Sequence, residues 1–114
     1  MGMRIRKIAL TIAVVVFSQG TALAQKIQIN TLGARPCATW LDDRKTPAVS
    51  LSNEAWVIGF LNGIVAVTSK NILTNVNANA IGKWVDNYCR NNPLDDTFDA
   101  GYALADELKK RTRN

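Results

Sequence analysis

No histidine occurs anywhere in this 114-residue chain, and only two cysteines do. Without an imidazole there is no Ser–His or Cys–His pair to activate a nucleophile. Two thiols alone do not complete a zinc site, and Cys37 and Cys89 are far from the CxxC spacing of a redox pair. No glycine-rich phosphate loop is present, and no Asn opens an Asn-X-Ser/Thr acceptor. The chain after residue 24 has no continuous apolar run of the ~20 residues that a bilayer requires. A Lys or carboxylate base is left for acid–base chemistry, but no second residue points to one. The composition therefore names no catalytic residue, no cofactor and no metal ligand.

The first 24 residues have the form of a secretory signal peptide. Arg4, Arg6 and Lys7 make a positive start, Ile8 to Phe17 is a short apolar stretch, and Ala22-Leu23-Ala24 supplies the small residues of a cleavage site. Gln25, not a cysteine, directly follows that site, which argues against a lipid anchor. The expected location is the periplasm, reached through the inner membrane. Cleavage would remove three basic residues and leave 11 Lys plus Arg against 9 Asp plus Glu, a net of +2 rather than +5. No basic stripe remains to suggest nucleic acid. Residues 25–36 read as a mobile lead-in and residues 37–114 as a single helical domain.

Secretion and an even cysteine count predict a disulfide between Cys37 and Cys89. The domain around it reads as all-α, a small four-helix fold. A short first helix starts after Pro36, with Cys37, Trp40, Leu41 and Arg44 at i, i+3, i+4, i+7. Lys45 to Ser50 reads as a loop. Leu51 to Lys70 is the most apolar run of the secreted part, capped by Ser52 or Asn53. It is expected to be a buried central helix, with Trp56, Phe60, Ile64 and Val67 on one face. Gly59 and Gly63, four apart, predict a flat strip against which another helix packs. After an Asn-rich loop, Asn77 or Asn79 caps a third helix. There Ile81, Trp84, Val85, Tyr88 and Cys89 give the clearest amphipathic repeat. Asn91-Asn92-Pro93 ends it. Asp95 or Asp96 opens the fourth helix, whose buried face is expected to carry Leu94, Phe98, Tyr102, Ala105 and Leu108. Gly101 marks a close approach.

Asp95, Asp96 and Asp99 have a DDxxD spacing, which in some enzymes holds magnesium. At a helix start behind Pro93 such acids cap the helix, and that is the reading adopted. Trp40, Trp56, Phe60, Trp84 and Tyr88 lie on apolar helix faces. Packing explains them by default, and an exposed patch of them is the candidate protein-binding site.

Two family resemblances rest on these residues. The order of signal peptide, Cys37-x-x-Trp40, Val57-Ile-Gly-Phe60, Cys89 and a Lys-rich last helix resembles the HdeA family of periplasmic acid-stress chaperones, over about Cys37 to Arg111. The resemblance implies a helical protein with one disulfide that binds unfolded clients. Here the mature chain is slightly basic, and the loop after the central helix carries Asn where that family tends to carry acids. Gly59-Phe-Leu-Asn-Gly63, Trp84-Val-Asp-Asn-Tyr88, Asn92-Pro93 and the Ala-rich helix behind them look like the Rap1a/Tai family, over Trp56 to Leu108. That resemblance implies an immunity protein that binds and blocks a cell-wall amidase toxin of type VI secretion. Cys89 stands where an ordinary apolar residue is expected in that family. Both imply a non-enzymatic periplasmic protein-binding domain, without nucleic acid or stable membrane insertion, and leave a homodimer open. The chaperone resemblance further implies loosening in acid. With nine carboxylates neutralised below about pH 3, the mature chain would carry +11.

Overall fold

The computed structural model describes Gly2 and residues 32–113. Apart from Gly2, the expected signal peptide and residues 25–31 of the lead-in lie outside the described residues. Four helices follow in order: α1 (Cys37–Asp43), α2 (Pro47–Thr68), α3 (Ala78–Asn91) and α4 (Thr97–Arg111). The fold is all-α. Helix α1 packs on α2 and α3, and α2, α3 and α4 all pack on one another.

Three helix starts follow from local chemistry. Pro47 occupies the first position of α2, where its fixed φ suits a helix and its missing N–H is not needed. The helix therefore begins four residues earlier than its apolar run does, and Pro47–Ser50 is helical rather than loop. Asn77 caps α3 by accepting a 2.8 Å bond from the Ala80 amide. Asp96 caps α4, and the Asp99 side chain returns the favour to the Asp96 amide, a reciprocal box. Two acids of the DDxxD spacing, Asp96 and Asp99, thus serve the helix start, whereas the Asp95 side chain accepts from the Tyr88 hydroxyl.

Cys37 and Cys89 are joined, 52 residues apart in sequence. Both are fully buried, as are Trp40, Val57, Leu61, Val85 and Ala100. Ile81, Leu104, Ala105 and Leu108 complete the core, and Ile72 plugs it from the loop after α2. The backbone also ties the two ends of the domain. The Cys37 amide donates to the Asp95 carbonyl, and the Thr97 amide donates to the Arg35 carbonyl. Leu32 to Pro36, the described end of the lead-in, is held there by a further bond from the Arg35 amide to Thr97 Oγ1.

The central helix is the main departure from the sequence reading. Only Ser50, Asn53, Val57 and Leu61 of α2 are buried. The expected buried face fails: Trp56, Phe60 and Ile64 are half-buried and Val67 is 86% exposed. An added Cβ at Gly59 or Gly63 would meet nothing within 4 Å, so the glycine strip faces open space rather than a helix. The reason lies in the inward stripe, which is narrow and partly polar. Asn53 points inward to accept from Arg35 Nε and to donate to Asp43. A helix apolar on all sides can bury only the side that meets neighbours, and α2 has more apolar surface than α1, α3 and α4 can cover. By length and composition alone, α2 is also long and apolar enough to cross a membrane, although its unbroken apolar run is shorter. Of the face expected for the fourth helix, Leu94 lies in the turn before α4 and is 99% exposed, Tyr102 is 64% exposed, and the buried positions of α4 are Thr97, Ala100, Gly101, Leu104, Ala105 and Leu108.

Candidate protein-binding surface

Of the five aromatics singled out from the sequence, Trp40 is fully buried and unavailable to a partner. Its indole N–H donates to Asp86 Oδ1 at 2.8 Å. Above its ring lies the Arg44 guanidinium, 5.3 Å from the ring centroid. Arg44 pairs with Glu54 of α2 and forks onto both oxygens of Asp86 of α3. Burial opposes the charge on Arg44, but these hydrogen bonds raise its pKa above the ordinary value. Gly82 leaves the room. A Cβ there would lie 3.0 Å from Arg44 Nη2 and would collide with Glu54. The i+7 placement of Arg44 on the apolar face of α1 is thus a clamp across three helices.

The other four aromatics are half-buried and fall into two groups. Trp56 stacks on Phe60 with centroids 5.9 Å apart, and Phe60 meets the edge of Phe98 at 5.3 Å. Phe98 continues to Tyr102 at 6.3 Å. Gly101 makes this possible, since a Cβ there would lie 2.8 Å from Phe60 Cδ1. Trp84 and Tyr88 form a separate stacked pair on α3, 5.5 Å apart. The Trp84 N–H donates to Glu107 at 2.9 Å and the Tyr88 hydroxyl to Asp95 at 2.6 Å. The Trp84 bond, with help from Arg111, holds the Glu107 carboxyl below the usual carboxylate range. Burial, the Asp95 bond and the charges of Asp95, Asp99 and Asp96 push the Tyr88 phenol up to about 12.

Two grooves open on either side of Tyr102. One, of about 480 Å³, is floored by Gly59 and Gly63 and walled by Phe60, Ile64, Val67 and Tyr102, with Lys109 at its edge. The other, of about 490 Å³, lies between α3 and α4 and is lined by Tyr88, Phe98 and Tyr102 together with Asp95, Asp99 and Asp106. The sequence reading missed Phe98 and Tyr102 as surface residues, and Lys109 and Val67 as rims. The available signal was the surplus of apolar positions around α2.

Among the described residues no group of three or more metal-binding side chains comes together, and no buried side-chain polar atom lacks a partner. No protein-family model matches the chain, nor does any curated protein or solved structure.

Proposed function

We propose that this chain is a non-enzymatic, exported protein-binding domain that docks a partner on the exposed seam between α2 and α4. One observation carries the reading. The folded domain leaves the glycine strip of α2, Val67 and Tyr102 exposed around one groove, with half-buried Phe60 and Ile64 in its wall. Exposed apolar patches of this kind mark interaction sites. The groove is formed in the folded state, so binding needs no unfolding of the domain. That favours a single folded partner, as an immunity protein of the Rap1a/Tai type would have. The test is to place a photo-crosslinking amino acid at Val67 in the exported protein, with Lys45 as an exposed control on the α1–α2 turn. A discrete protein adduct from position 67 alone is expected. Adducts to lipid, or none, would overturn the reading.

The Arg44 clamp favours a second reading, an acid-stress chaperone resembling HdeA. Its ionic partners are carboxylates on two other helices, so this contact between the helices rests on charge. The measurement is client aggregation at about pH 2–3, below the carboxylate range, with and without the protein. Aggregation unaffected by an equimolar amount would remove this reading.

A further inference from the structure

The two grooves differ in charge. The glycine-floored groove is apolar with one cation, Lys109, at its rim. The groove across Tyr102 carries Asp95, Asp99 and Asp106 and no basic residue in its lining. Asp106 is paired with Lys110 on the surface. Asp95, Asp96 and Asp99 have no ion pair among the described residues. Asp95 accepts from Tyr88, and Asp96 and Asp99 bond to backbone amides. Of the carboxylates that line this groove, Asp95 and Asp99 therefore have no ion pair beside the aromatic faces of Phe98 and Tyr102, a setting that favours a cation twice, by charge and by ring quadrupole.

Geometry restricts the occupant further. Gly59 and Gly63 lie one helical turn apart, and no atom blocks the space above them. Such a strip admits the close approach of another helix, whose side chains then fill the groove between Phe60, Ile64, Val67 and Tyr102. An anionic lipid surface fits less well, because Asp95 and Asp99 would face its charge. Resting on the protein-binding reading above, we propose that the two grooves form one docking surface for a helical segment of another protein. That segment presents a large apolar side chain to the Gly59–Gly63 groove and, beside it, an arginine or lysine to the acidic groove across Tyr102.

The test uses two synthetic 16-residue helical peptides with the same Leu/Ala face, one flanked by Arg and one by Glu, titrated into the signal-free, oxidised protein. The Gly59 and Gly63 amide NMR signals report binding. The Arg-flanked peptide is expected to shift both amides and to bind at least tenfold more tightly than the Glu-flanked one, with the difference shrinking as salt is added. Gly63→Leu, which fills the groove, is expected to abolish the Gly59 shift without lowering the melting temperature. Equal affinity of the two peptides, or no shift with either, would overturn the proposal. So would shifts produced by phosphatidylglycerol vesicles alone, or self-association that Gly63→Leu removes, since the occupant would then be a lipid surface or a second copy. A protein adduct from Val67 together with equal peptide affinities would leave protein binding standing and remove only the charge pairing.

Discussion

Single residues in this chain do more than their type announces. Tyr88 is one of two tyrosines. Its folded pKa of about 12 lies above the ~10 of an unfolded phenol. The folded state therefore holds the proton more tightly. The stabilisation is fully present below pH ~10 and is lost as pH rises towards 12. A Tyr102→Phe protein isolates this phenol, and its phenolate absorbance should appear with a midpoint near pH 12. A midpoint at the ordinary value would mean that neither the burial of the phenol nor its bond to Asp95 holds in solution. Arg44 makes the second case. It reaches Ser50, Glu54 and Asp86 together, which a planar fork can do and an ammonium cannot. Arg44→Lys keeps the charge and should still lower stability by about 1–2 kcal/mol, read by urea denaturation. Equal midpoints for the two proteins would show that charge alone suffices. Sequence spacing placed Arg44 on the right face of α1, but its partners come from helices 10 and 42 residues away, and no local pattern encodes that.

At the scale of elements, the helices were legible where polar and apolar residues alternate at the helical period. Helix α3 shows this in full: Ile81, Val85 and Cys89 are buried, Trp84 and Tyr88 lie half-buried beside them, and Asn77 caps the start. Helix α2 shows the limit. Its apolar residues surround the axis, so periodicity could not say which side meets neighbours. The side chosen by packing runs through Ser50, Asn53, Val57 and Leu61. The candidate site was half legible for the same reason. Its aromatics could be named, but the open groove arises from where α4 stops covering α2. The correction reverses a stability expectation. In a packed strip, a side chain at Gly59 would overfill the core. In open space, replacing a helical glycine removes only its conformational cost. Gly59→Ala and Gly63→Ala should each stabilise the protein by about 0.5–1 kcal/mol. Thermal melts decide it, and a lowered melting temperature in either variant would place a neighbour over the strip.

The whole molecule is small, and one covalent link joins its first helix to its third. Between Cys37 and Cys89, 52 residues apart, lies all of α2, so the bond closes a loop around the most exposed helix. In the chain-entropy account a loop of this length restricts the unfolded state by about 4 kcal/mol. Domains of this size have total stabilities on the order of 5–10 kcal/mol, so the bond is a large share. Polar cross-ties between helices include the Arg44 clamp, the bond from Asn53 to Asp43 and the bond from Trp84 to Glu107. The lowered pKa of Glu107 sets the sign of its part, which is present above the ordinary carboxylate range and is lost as pH falls through the folded value. Acid thus removes the Glu107 tie and leaves the disulfide, while reduction does the reverse. The two treatments should separate cleanly. At neutral pH, Cys37→Ser/Cys89→Ser should lower the urea midpoint by roughly 3–4 M, for a slope near 1 kcal/mol per M, while the helical circular dichroism in water persists. A shift of less than about half that size would show that packing of α1 on α2 and α3 already restrains the chain without the bond.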